Sequence, residues 1–139
     1  MTPTPYLFFN GNCAEAIASY VEIFGGEIME KMPASDMPPE YDVPDENRHL
    51  VMHSRIRIGD GFLMASDNLM GENTEMTGSS VLVSLPTVDA GKAAFDTLAD
   101  GGAIEMPYGP TFWSKGFGML TDRFGVRWMI GCDEVPEEG

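Results

Sequence analysis

A chain of 139 residues carries 22 Asp and Glu against 8 Lys and Arg, a formal charge of -14 at pH 7. So few cations exclude nucleic acid and anionic membrane surfaces as natural partners, because both select for clustered Lys and Arg. A hydrophobic content of 43% is enough for a packed core, so the expectation is one soluble domain spanning 1–139.

The opening Met1-Thr2-Pro3-Thr4-Pro5 lacks the basic-then-apolar pattern of a secretion signal. No apolar run reaches the roughly eighteen residues of a membrane span, so the expected location is cytoplasmic. Tyr6 to Phe9 reads as a short apolar strand ended by Asn10-Gly11-Asn12. A helix follows, with Asn12 as N-cap and Glu15 three residues on. Ala14, Ile17, Val21 and Phe24 mark its buried face, and Gly25-Gly26 closes it. Cys13 lies in this helix and Cys132 near the end of the chain. They form no CxxC, and both read as small buried hydrophobes.

Glu27 to Lys31 reads as a strand. Met32 to Asn47 holds four Pro and five acids, which makes a loop: a solvated excursion, or alternatively a lid. His49 to Ile58 is a longer strand, turned by Gly59-Asp60-Gly61 into Phe62 to Ser66. The order then repeats. Val81 to Leu85 is a strand, and Asp89 caps a helix with Phe95, Leu98 and Ala99 on its buried face. Gly101-Gly102 ends that helix. Ala103 to Met106, Phe117 to Thr121 and Val126 to Ile130 are strands, and the acidic tail 133–139 is expected to fray. A duplicated βαβββ unit explains the pattern, with module one at 4–67 and module two at 80–132. The eleven Met read as adaptable core packing, with a Met-lined pocket as the alternative.

Several stretches carry a family resemblance: Pro5 to Gly11, His53 to Asp67, Phe112-Trp113, Phe117-Gly118, and above all Asp122-Arg123-Phe124-Gly125-Val126-Arg127-Trp128. The chain resembles the vicinal oxygen chelate superfamily of glyoxalase I, bleomycin-resistance proteins and extradiol dioxygenases, in its PhnB-like branch. The resemblance implies an α+β fold of two curved half-barrel sheets, each cupping a site, in a homodimer. Some of the branch bears the name 3-demethylubiquinone-9 3-methyltransferase. This chain has no GxGxxG loop to hold a nucleotide-like cofactor, and it is short for a doubly wound sheet.

Metal-dependent members of the superfamily hold one divalent ion with residues from the first, fourth, fifth and eighth strands. Carried over, these positions fall near Thr4, at Met64 or Ala65, among Val81 to Val83, and at Met129. None is a good ligand for such an ion. The two histidines, His49 and His53, share a strand face about 13 Å apart, too far to share an ion. No metal and no cofactor are therefore expected.

Strand parity puts Leu50, Met52, Ile56 and Ile58 on one side and His49, Val51, His53, Arg55 and Arg57 on the other. Parity with Met129, a metal position in relatives, turns Arg127 inward. The candidate ligand-binding set is Tyr6, Phe8, His53, Arg55, Arg127 and Met129, with Trp113 at the mouth of the cup. An Arg fork suits a carboxylate or phosphonate. The bland alternatives are ion-paired Arg55 and Arg57, a hydrogen-bonded structural His53 and a packed Trp113. His53 is the one candidate general base. Asp122 is read as fixing its turn, and Asp67 either caps a loop or reaches the cup. The expected function is binding of a small anionic or oxygen-rich molecule without metal, with catalysis left open. The alternative is a metal-dependent lyase, isomerase or dioxygenase.

Overall fold

The computed structural model describes residues 1–70 and 75–137. The backbone forms two compact units, Met1–Glu75 and Met76–Gly139. The first holds β1 (Tyr6–Phe9), α1 (Cys13–Phe24), β2 (Glu27–Pro33), β3 (Val51–Ile58) and β4 (Gly61–Asp67). The second holds β5 (Val81–Leu85), α2 (Val88–Ala99), β6 (Ala103–Gly109), β7 (Phe117–Thr121) and β8 (Arg127–Cys132). The sheets run β1-β4-β3-β2 and β5-β8-β7-β6, with the first strand of each module parallel to its last. The fold is α+β, two βαβββ modules in tandem. No helix among the described residues is long and apolar enough to cross a membrane.

Each sheet has one face against its helix. α1 buries Cys13, Ala16, Ile17 and Tyr20; of the expected row Ile17 is buried and Ala14 is exposed. The small Cys13 and Ala16 let the helix approach its sheet closely, while Val21 and Phe24 lie half-buried on the flank. α2 buries Gly91, Ala94, Phe95 and Leu98. Trp128 and Ile130 of β8 are fully buried, as the parity of that strand predicts. No methionine belongs to the buried core. This corrects the core-packing expectation for the eleven: all lie half-buried or exposed.

The glycine pairs close the helices for two different reasons. Gly25 and Gly101 have φ of 70° and 76°, the left-handed region that a Cβ disfavours. Gly26 and Gly102 are needed for space. A Cβ on Gly26 would overlap the Arg57 carbonyl oxygen, and one on Gly102 the Thr121 carbonyl oxygen.

The helix starts differ from the sequence reading. Asn12 makes no side-chain cap bond; Asp67, from the end of β4, takes over. Its Oδ1 accepts from Gly11 N at 3.0 Å and Cys13 N at 2.9 Å, and its Oδ2 accepts from Val51 N at 2.9 Å. In α2 the cap is Thr87, whose hydroxyl accepts from Ala90 N, and not Asp89. Glu134 Oε1 accepts from Val88 N at 3.0 Å. Asp133 N also donates to Leu85 O, so the tail is tied down at its start. Residues 138–139 of the expected tail lie outside the described residues.

The acidic excursion between β2 and β3 is a loop with three short 3-10 turns, Ala34–Asp36, Pro39–Tyr41 and Asp45–Asn47. Ala34 and Val43 are buried within it, and Asn47 donates to Leu69 O at 2.8 Å. β3 begins at Val51, leaving His49 in a turn outside the strand. Val51 itself is buried. The β2–β3 register shifts at this end, opposite Met32 and Pro33, so the alternation read from the sequence does not hold there.

Candidate functional site

The face of the first sheet opposite α1 carries the polar candidates. Register places Tyr6 beside Met64 and Met64 beside Arg55. Phe62, Arg57 and His53 share that face by parity. Tyr6 is 37% exposed and Phe8 47%, and their rings lie 5.0 Å apart. The Tyr6 hydroxyl is 3.1 Å from His53 Nδ1, and the two rings stack at 5.8 Å. His53 Nε2 lies 3.9 Å from Glu30 Oε2. Tyr6, Phe8, His53 and Arg55 therefore share one face of the first sheet.

Three members of this face were not predicted: Glu30, Phe62 and Met64 as a side chain of the cup. Phe62 and Met64 were legible from the alternation of β4. Glu30 was not, because a register shift between Ile28 and Glu30 moves it opposite Arg55. Without that bulge Met29 would hold the place.

The five arginines divide sharply. Arg48 pairs with Asp45 at 3.1 Å. Arg57 pairs with Glu27 at 3.9 Å and donates to Gly59 O, which is the surface pairing read as its alternative. Arg127 reaches Glu105 at 3.4 Å. Arg123 lies over the Phe124 ring. The Arg55 guanidinium sits over the Phe62 ring, 4.0 Å from its centroid. No carboxylate among the described residues lies within salt-bridge distance of it.

In the second unit, register sets Leu82 beside Met129, Met129 beside Met119, and Arg127 beside Thr121 on one face. Leu82 is 62% exposed. The Thr121 hydroxyl donates to Glu105 Oε1 at 2.8 Å. That bond, with the charge of Arg127, holds the Glu105 carboxyl below its ordinary range. Trp113 lies on the loop before β7, edge-on to Phe112 at 4.8 Å and to Phe117 at 5.2 Å. Phe112 is 91% exposed. This face is apolar and methionine-rich, with its one arginine already partnered.

Other titratable groups are structural. Asp122 Oδ1 accepts from Phe124 N and Val126 N, and its Oδ2 accepts from Trp128 Nε1, all at 2.9 Å. It fixes the hairpin, as predicted. Asp67 caps and does not line the cup. Burial pushes the Cys13 thiol up to about 12, so it is a protonated core group and no nucleophile. Burial does the same to Tyr108, raised to about 12, whose hydroxyl donates to Val88 O.

The positions that the resemblance assigns to a metal ion do not fit one. Met64, Leu82 and Met129 present thioether and alkyl groups where a divalent ion needs imidazole or carboxylate. Among the described residues no group of three or more His, Cys, Asp or Glu is placed to hold an ion.

The family model described as Glyoxalase/Bleomycin resistance protein/Dioxygenase superfamily matches residues 4–130. Protein YjdN of Escherichia coli (strain K12) is 37% identical over 138 residues, covering 94% of each chain. The crystal structure of protein PA1353 from Pseudomonas aeruginosa superposes with a TM-score of 0.87 at 39% identity, covering 96% of this chain and 98% of that one. The PhnB protein from Bacillus cereus gives a TM-score of 0.79 at 29% identity, covering 95% and 99%.

Proposed function

The chain belongs to the glyoxalase/bleomycin resistance protein/dioxygenase superfamily, and from that premise we propose that it binds a small carboxylate or phosphonate on the open face of its first sheet, without a metal ion. One observation carries the reading. On a protein of charge -14, Arg55 stands on an aromatic face with no carboxylate partner among the described residues. A guanidinium without a carboxylate partner among the described residues, on so acidic a chain, suits an anion, and its fork takes two oxygens at once. Phe62 fixes the guanidinium plane from below, while Tyr6, Phe8 and Met64 supply apolar walls for the rest of the ligand. The half-buried methionines support the same reading, since thioethers adapt to ligands of varied outline.

Arg127, Met129 and Trp113 are proposed as ligand contacts of the second unit, where Arg127 has first to be released from Glu105. A homodimer is proposed on the family resemblance alone, and light scattering reads the oligomeric state.

The test uses protein stripped of metal by chelator and dialysis, titrated calorimetrically with benzoate and methylphosphonate. Binding that Arg55→Ala weakens about tenfold or more supports the reading. Stoichiometric Ni or Zn by elemental analysis, with metal-dependent turnover of the methylglyoxal–glutathione hemithioacetal, would replace it with a metal-dependent lyase.

A further inference from the structure

The anion seat proposed above has an imidazole for a neighbour. Tyr6 Oη lies 3.1 Å from His53 Nδ1, and His53 Nε2 faces Glu30 Oε2 at 3.9 Å. Facing His53 are thus Tyr6 from β1, Glu30 from β2 and, two residues along its own strand, Arg55. β4 offers Met64 and Ser66 on this side, and neither titrates. α1 packs on the opposite face, where Ser54 meets Cys13.

The carboxylate of Glu30 selects the imidazole tautomer. A lone pair on Nε2 would face a negative oxygen, so neutral His53 keeps its proton on Nε2, and Nδ1 is then an acceptor. Tyr6 has one O–H, and in this state Nδ1 consumes it. When His53 takes up a proton, Nδ1–H becomes a donor and points at Tyr6 Oη. The Tyr6 hydroxyl must then turn its own hydrogen elsewhere, and the open face is where Arg55 waits. Tyr6, Met64 and Arg55 stand in register across β1, β4 and β3, roughly 10 Å between the outer two backbones, a span across which two long side chains can meet on one carboxylate or phosphonate.

Resting on the anion reading, we infer that Tyr6 is the second anion donor of the site and that protonation of His53 makes its hydroxyl available. The ligand is then an oxyanion held between the Arg55 fork and the Tyr6 hydroxyl, and its binding draws one proton onto His53. Linkage fixes the sign. An anion that favours imidazolium raises the His53 pKa, so affinity is greatest below that value and falls as pH rises through it. Glu30, the cross-strand neighbour of Arg55, supports the charged imidazole through Nε2.

Benzoate serves as the probe, since its own carboxyl does not titrate between pH 5.5 and 8.5. Wild-type protein, Tyr6→Phe, His53→Gln and Arg55→Ala are compared by calorimetry across that range. The chain has two histidines, so imidazole proton resonances are followed directly and His53→Gln assigns them. The expected result is wild-type affinity falling about tenfold from the acid to the alkaline end. Tyr6→Phe and His53→Gln should hold the weak alkaline value at every pH, and benzoate should move the His53 titration to higher pH. Binding that Arg55→Ala abolishes but that is flat in pH for the wild type would overturn this coupling and leave the anion seat standing. No Arg55-dependent binding at any pH would overturn both.

Discussion

Gly26 lies against the carbonyl of Arg57 so closely that no side chain fits between them, and Gly102 stands in the same relation to Thr121. The second glycine of each pair lets the chain leaving a helix pass over the strand it is about to join. Gly26→Ala and Gly102→Ala should each destabilise the protein by more than Gly25→Ala, which meets open space and costs only its left-handed φ, about 1 kcal/mol. Urea denaturation reads the difference. Equal losses at Gly25 and Gly26 would show that conformation, and not space, governs both.

Asp67 is buried and accepts three backbone N–H bonds. Removing it leaves those amides unsatisfied, and Asp67→Ala should cost about 3 kcal/mol or more. Glu134→Ala removes a single cap bond and should cost about 1 kcal/mol. A loss at Asp67 no larger than that at Glu134 would mean water replaces the carboxylate.

Alkaline stability should fail early. The Cys13 thiol rises from 9.0 to about 12 and the Tyr108 phenol from 10.0 to about 12, both chiefly through burial. In each case the unfolded chain loses the proton first. Their contribution is therefore complete below pH 9 and declines as pH climbs from 9 toward 12. Urea midpoints between pH 8 and 11 should fall less steeply in Cys13→Ala and Tyr108→Phe. Superimposable slopes in wild type and variants would remove these groups as the cause.

The arginines should rank by their partners. Arg55→Ala is expected to lose anion affinity about tenfold or more, whereas Arg57→Ala and Arg127→Ala should lose a few-fold at most. Their guanidinium groups are already engaged by Glu27 and Glu105. Titration with benzoate checks the order. A larger effect at Arg127 would move the seat to the second unit.

Much of the fold was legible because local chemistry decided it. The Gly-Gly pairs, the apolar strands and the repeat follow from turn geometry and alternation. That His53 and Arg55 share a face followed from parity along one strand. What escaped depended on distant partners. Nothing near Asn12 reveals that a carboxylate 55 residues later caps the helix in its place. Glu30 reaches the open face only through a bulge, which alternation cannot foresee. Methionine is apolar enough to be read as core, yet here every one stays partly accessible.

The two carboxylate caps also bear on synthesis. Asp67 meets Cys13 across 54 residues, and Glu134 meets Val88 across 46. As the chain grows, neither helix has its first amide satisfied until the last strand of its own module has arrived. Each helix is therefore latched by the end of its module, α1 in place of a cap from its own Asn12 and α2 in addition to its Thr87 cap. A nascent chain stopped just before Asp67 would hold every strand but the end of β4 and still lack the bond that commits α1. Cooperativity is thereby written into the order of translation, one module at a time.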